Sequence, residues 1–448
     1  MRKYVILLLL ILSYAGAILA QDTFYYCGGK KIPLKKSAAR SSSLIYLDEN
    51  DVPMMVSDYI YVKLKSLDDV ATLKEKAEQY GLSVENQDEF MPSWFVLKKH
   101  RTGKGVVDVA NALYETGLFA ECLPDLATDG KEISYDPYSI DQWGLYNRMT
   151  KGADINVSEA WNYATGRGVV IAIVDEGIEL THIDLASNIF FKSYDARTGT
   201  SPSRIYGDHG THCAGIAAAV RSNGVHIAGV APDARLMSVS DTLDQTALAA
   251  MTHARGINWA WKNGADIISM SWSCAKNMMV VEAIDSALVR GRNGKGCVMV
   301  KSAGNGHEPY ITFPGTCEGV IAVGNITKYG EINENVRNGS NYGDEMFISA
   351  PGTVIPSTVL NNKVDYYTGT SMAAPHVAGV AALMLERNPE LSVWNVREIL
   401  ARTARKLEVM PQDVNKEFGM WDKYYGYGIV DAGKAVLESI NYKNFKGE

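Results

Sequence analysis

Six consecutive apolar residues, Val169-Val170-Ile171-Ala172-Ile173-Val174, leave no side of a strand for water. A half-exposed strand alternates apolar with polar positions. One that is apolar throughout has to be covered on both faces, which makes it an interior strand of a parallel sheet flanked by helices. Further apolar runs at Ile267-Ile268, Cys297 to Val300 and Val320 to Val323 are separated by helical or turn segments. This alternation predicts an α/β fold, a doubly wound, mostly parallel sheet spanning residues 135–448. The 40 glycines suit its many tight turns.

The 448-residue chain has room for more than this unit. Tyr59 to Leu64 reads as a strand. Ser66 and Asp69 form a capping pair, and Leu67, Val70, Leu73, Ala77 and Tyr80 then recur at helical spacing up to Gly81. A strand from Trp94 to Leu97, a helix from Val106 to Thr116 and a closing strand from Leu118 to Leu123 complete two strand-helix-strand halves. That order predicts a small α+β domain of ferredoxin-like type over 58–126. Residues 21–57 carry a basic, serine-rich stretch and are assigned no fold, and the polar segment 127–134 reads as a linker. At the N-terminus, Arg2 and Lys3 precede an apolar run from Tyr4 to Leu12 and small residues up to Ala20. This is the layout of a secretory signal peptide over 1–20, and it predicts an extracellular or periplasmic protein.

A formal net charge of -7 with no phosphate-neutralising stretch argues against nucleic acid as a partner. No other segment is apolar enough to span a membrane. The six cysteines, Cys27, Cys122, Cys213, Cys274, Cys297 and Cys317, show no zinc-site spacing, and exported chains permit disulfides without requiring them.

Three residues stand where chemistry is expected. Asp175 ends the Val169 strand, at the edge where open α/β sheets place their ligand crevice. An acid buried there can fix a histidine's tautomer and stabilise its imidazolium, although a lone strand-end aspartate is more often a turn residue. His209 lies in Gly207-Asp208-His209-Gly210-Thr211-His212-Cys213-Ala214-Gly215, a run small and apolar enough to be a buried helix. Ser371 lies in Gly369-Thr370-Ser371-Met372-Ala373-Ala374-Pro375, at the start of an apolar helix. The free N–H groups and dipole of a helix start favour developing negative charge, which an acyl-transfer nucleophile needs.

These three segments, in the order Asp, His, Ser, resemble the catalytic motifs of the subtilisin-like serine proteases. HGTHCAGIAAAV followed by IAGVAP looks closest to the thermitase branch. The resemblance implies a serine endopeptidase with Asp175, His209 and Ser371 as its triad, acting on protein or peptide substrates as a monomer. Ser302-Ala303-Gly304-Asn305-Gly306 matches the family's oxyanion segment, so Asn305 and the Ser371 N–H would hold the oxyanion. Ser271, Trp272, Ser273 and Gly304 would line the substrate. Around Ile311 to Pro314, the expected pocket floor, no acid is obvious, which leans toward an apolar or broad preference at P1, the residue on the acyl side of the scissile bond. A structural calcium ion is implied too, with oxygens from Asp136, Asp184 and Asn223 and carbonyls of Val220, Val225 and Ile227. The small N-terminal domain would be a prodomain that assists folding and then inhibits the enzyme until it is cleaved.

The sequence departs from the family pattern at Glu176, where a small residue is common, and a second carboxylate there would either raise the histidine's pKa or simply face solvent. Cys213 is expected to be a buried, unpaired thiol. A Cys274–Cys317 bridge is a further expectation, placed on neighbouring walls of the pocket. The alternative from the same resemblance is an inactive relative that binds peptides. A lipase or esterase is disfavoured because the Ser371 context lacks G-x-S-x-G, and a metalloprotease because H-E-x-x-H is absent.

Overall fold

The computed structural model describes residues 23–36, 45–47, 53–100, 105–128, 134, 136–147, 150–243, 248–407 and 414–442. The expected signal segment and most of the expected linker lie outside the described residues. The chain divides into two compact units, 1–131 and 132–448.

The first unit is built on strands β1 (Thr23–Cys27), β2 (Lys30–Lys36), β3 (Ile45–Leu47), β4 (Pro53–Lys63), β5 (Leu82–Gln87), β6 (Trp94–Lys99) and β7 (Glu121–Thr128). Its sheet runs β1-β2-β3-β4-β6-β5, with β7 also paired to β4. Within it, β7-β4-β6-β5 is antiparallel throughout, the ferredoxin-like order. Helices α1 (Val70–Gln79) and α2 (Val106–Glu115) cover it, and the 3-10 turn leading into α1 starts from the Ser66–Asp69 capping box. Ile60, Val62, Leu73, Leu97 and Leu113 form the centre of its core. Within the stretch to which the sequence assigned no fold, the described residues form β1 to β3, which extend the edge of β4. Their signal is weak because only a few positions turn inward, as Leu34 does against Val107 among the lysines of β2.

The main sheet of the second unit has seven strands in the order β14-β13-β12-β11-β8-β10-β9, every neighbouring pair parallel. They are β8 (Val170–Asp175), β9 (Tyr194–Asp195), β10 (Arg235–Ser240), β11 (Ile267–Met270), β12 (Val298–Ser302), β13 (Val320–Ile326) and β14 (Ile348–Pro351). All six residues of β8 are buried, as its unbroken apolar run requires. Ile171 and Ile173 face the cluster that holds helices α3 (His209–Ala218) and α6 (Thr370–Arg387). Ala172 and Val174 face the opposite cluster, which holds α4 (Ala249–Lys262) and α5 (Met278–Gly294). Each large side chain so buried stabilises the fold by about 1.5–3 kcal/mol.

Strand order sets the position of the site. After β8 the chain adds β10 on one side of it and then returns to add β11 on the other. Successive crossovers therefore diverge at the carboxyl end of β8, opening a crevice there. Asp175 is the residue at that end.

Candidate active site

Asp175 is fully buried, and its Oδ1 accepts the Glu176 N–H at 2.8 Å. The same oxygen lies 2.8 Å from Nδ1 of His209, the first residue of α3. Burial lowers the affinity of this imidazole for a proton, but the Asp175 carboxylate outweighs it and holds the pKa well above 6.5. Glu176 sits over the start of the same helix, its Oε2 accepting the His209 backbone N–H at 3.3 Å. Burial, and then Asp175, raise the Glu176 carboxyl above its ordinary range.

One turn along α3, Cys213 lies beneath the imidazole, with Sγ 3.9 Å from His209 Nδ1 and donating to the Ser371 carbonyl at 3.5 Å. The thiol thus ties the histidine helix to the serine helix. Ligand atoms of Asp175, His209 and Cys213 lie within 4.8 Å of one another. Burial raises the thiol's pKa, so it stays a protonated donor rather than a metal thiolate. His212 is a core histidine: it stacks on Tyr367 at 4.2 Å, its Nε2 is 3.2 Å from the Asp365 carbonyl, and burial pushes its pKa down to about 3.

Ser371 is the second residue of α6, and its backbone N–H, in the first turn, has no acceptor within the helix. Two reciprocal bonds brace it. Its Oγ donates to the Ser271 carbonyl at 3.2 Å, and the Ser271 Oγ donates to the Ser371 carbonyl at 2.9 Å. The hydroxyl is therefore turned toward the end of β11 rather than toward the imidazole.

Asn305 is held by a residue the sequence reading did not single out. Its Oδ1 accepts both the backbone N–H of Thr370 (2.9 Å) and the Thr370 hydroxyl (3.0 Å), while Thr370 Oγ1 accepts the Gly304 N–H at 3.2 Å. With the oxygen engaged, the amide NH2 is the end left to donate. The sequence signal for Thr370 is a hydroxyl beside Ser371 at a helix start, which does not reveal the distant Asn305 side chain. Gly304 has φ of +112°, and a Cβ there would lie 2.7 Å from Asn341 Nδ2 and from Thr312 Cγ2.

The other expected substrate residues divide by role. Ser273 is partly exposed, and its Oγ lies 2.7 Å from Thr312 Oγ1. The Trp272 indole is core: it donates to the Val174 carbonyl at 2.8 Å and stacks on His253 at 4.0 Å, buttressing β8 just behind Asp175. All six cysteines are free, so the expected Cys274–Cys317 bridge is absent, although the two thiols are near enough for one to raise the other's pKa.

The expected calcium residues converge. Asp136 accepts the N–H of Gly224 (2.9 Å) and of Ser222 (2.7 Å), and Asp184 accepts the Ile227 N–H at 3.1 Å. The Val220 N–H donates to the Asp184 carbonyl at 3.0 Å, and Val225 donates to Asn223 Oδ1 at 2.8 Å. Burial, with Asp136 nearby, pushes Asp184 up to about 7 even though Asn223 and Ile227 bond to it. Arg221 stacks on Trp161 at 4.2 Å, while its charge also acts on Asp136. Two buried carboxylates around one loop fit a hard divalent cation. Asn223 now gives its amide nitrogen to Asp184 at 2.8 Å, so serving as an oxygen ligand requires that amide to turn over.

The sequence profile of the subtilase family, peptidase S8, matches residues 166–428. A calcium-dependent protease of Nostoc sp. is 30% identical over 86% of this chain, which spans 64% of that relative's length. Thermitase of Thermoactinomyces vulgaris is 36% identical over 67% of this chain and 98% of its own. A solved structure of a protease from Pseudoalteromonas arctica superposes with a TM-score of 0.57 at 31% identity, covering 68% of this chain and 99% of that one.

Proposed function

The chain belongs to the subtilase family, and from that premise we propose that it is a serine endopeptidase working through an acyl-enzyme. The observation that carries the reading is the 2.8 Å Asp175–His209 contact on a strand end that the Ser371 helix faces across Cys213. For attack, the Ser371 hydroxyl leaves the Ser271 carbonyl and turns to the imidazole. Its oxygen bonds to the scissile carbonyl carbon as its proton passes to His209 Nε2, and Asp175 stabilises the resulting imidazolium. The oxyanion accepts hydrogen bonds from the Asn305 amide and the Ser371 N–H. His209 then protonates the departing amine as the C–N bond breaks, and water repeats the sequence on the acyl-enzyme. A fluorophosphonate probe should label the wild type and not Ser371→Ala. An unlabelled but peptide-binding wild type would instead fit the inactive relative.

The first unit would act as a prodomain that assists folding and then inhibits, its ferredoxin-like order being the support. Identical mature N-termini in wild type and Ser371→Ala would remove self-processing. Export is supported by the charge, apolar run and small residues at the N-terminus, and sequencing the mature terminus tests it. Asp136, Asp184, Asn223 and the 220–227 backbone would hold calcium, which would neutralise the two acids and fix the loop. Substrates would be unfolded or extended polypeptides, bound by the chain as a monomer.

A further inference from the structure

His253 is a buried titratable residue that the peptidase chemistry does not use. It lies on α4 and is 1% exposed. Its Nδ1 is 3.0 Å from Oδ2 of Asp241, off the line of a straight hydrogen bond, and its ring stacks on Trp272 at 4.0 Å and 17°. Nε2 has no partner among the described residues. An imidazole left unsatisfied in a core is costly, so what its other nitrogen and its face hold has to account for it. Asp241 is the partner of that nitrogen. Burial raises the pKa of the Asp241 carboxyl, but His253 and Thr252 beside it outweigh this and keep it below the usual carboxylate range.

Both contacts of His253 lead to the same strand end. On one side of β8 the ladder to β10 runs to the Asp175–Ser240 pair, and the next N–H, that of Asp241, donates to the Asp175 carbonyl at 2.8 Å. On the other side the register with β11 ends at Ile173–Ser269, one residue short of Val174. There the Trp272 indole N–H donates to the Val174 carbonyl at 2.8 Å. The carbonyls of the last two residues of β8 are therefore held by Asp241 and by Trp272, and His253 meets the side chain of each. Without the imidazole, the Asp241 carboxylate would stay buried with its partner gone. Drawing away toward water, it would take its N–H from the Asp175 carbonyl.

We infer that His253 is a positioning residue: by pairing with Asp241 and stacking on Trp272 it locks the end of β8 from both sides, and so holds Asp175 at its 2.8 Å contact with His209. Its effect on turnover rests on the peptidase reading above, whereas its effect on the Asp175–His209 pair can be read without it.

Two variants test this. His253→Phe keeps a ring for Trp272 and removes the partner of Asp241, and Trp272→Phe keeps a ring for His253 and removes the donor to Val174 without altering a charge. The first readout is proton NMR of the folded protein, in which the His209 Nδ1 proton shared with Asp175 gives a far-downfield signal whose titration reports the His209 pKa. In both variants that midpoint should fall by about half a unit or more, because a looser carboxylate supports the imidazolium less. Glu176, Cys213, His212 and Tyr367 also face His209 and are the same in each variant. The second readout is kcat per site titrated with fluorophosphonate, which should fall about tenfold with KM little changed. A merely structural role would leave fewer titratable sites, each with the wild-type kcat and midpoint. An unchanged or raised midpoint in His253→Phe overturns the inference, and so does the same result in Trp272→Phe should His253→Phe not fold. A wild type that takes up no fluorophosphonate defeats the peptidase reading, and the NMR midpoints still decide the positioning.

Discussion

Thr370 grips Asn305 twice, with its backbone N–H at 2.9 Å and its hydroxyl at 3.0 Å from the same amide oxygen. The residue beside Ser371 thus orients the Asn305 side chain, and in the proposed mechanism this would fix both oxyanion donors through one short stretch of chain. Asn305→Ala should lower kcat by about 10²- to 10³-fold with little change in KM, on the scale set by subtilisin's own oxyanion asparagine. Thr370→Val, which keeps the backbone bond and removes the hydroxyl, should cost less, and steady-state kinetics on one peptide separates the two.

The pH dependence follows from His209. As general base it has to be neutral, and its pKa lies well above 6.5 because Asp175 outweighs burial. Activity should therefore be present above that raised value and be lost as pH falls through it, giving an alkaline optimum in kcat/KM. Glu176→Gln removes a negative group that bonds the start of the same helix, and the acid limb should move to lower pH. A limb that stays in place would mean Glu176 acts only on the helix backbone.

Calcium should matter to stability before it matters to chemistry. Chelation leaves the Asp136 and Asp184 carboxylates facing each other across the 220–227 loop, so Tm should fall by several degrees and recover on adding calcium. Asp184→Asn should lower Tm in calcium and abolish most of the response to chelator. Differential scanning calorimetry with and without chelator reads both.

Gly304 permits no side chain. Its φ of +112° strains any L-residue, and a Cβ would press on Asn341 and Thr312. Gly304→Ala should destabilise by about 1–3 kcal/mol from backbone strain alone and should also lower kcat, because Asn305 is the next residue. Urea unfolding paired with kinetics shows whether both effects occur.

The parallel sheet and the close approach of Asp175 to His209 were legible because each leaves a local mark. A strand buried on both faces has no polar position, and β8 has none until Asp175. Catalytic motifs crowd small residues around one reactive side chain, as around Ser371. What escaped were features whose meaning is non-local. The strands Thr23–Cys27 and Lys30–Lys36 were assigned no fold because, of their residues with a described burial, Leu34 alone is buried. Thr370 was not singled out, since nothing nearby in sequence reveals the Asn305 side chain it meets 65 positions away. Trp272 was assigned to a substrate wall, yet its indole reaches the Val174 carbonyl instead.

The long strand β4 carries a practical consequence for anyone dividing this polypeptide. It runs from Pro53 to Lys63, with β3 paired to its beginning and β6 to its end. A recombinant fragment begun at residue 58, where the ferredoxin-like pattern starts, would sever that strand midway and strip the partner from the end of β7, Leu126–Thr128. Bared amide and carbonyl groups of this kind recruit other chains, so such a fragment should precipitate where one begun at residue 23 stays dispersed.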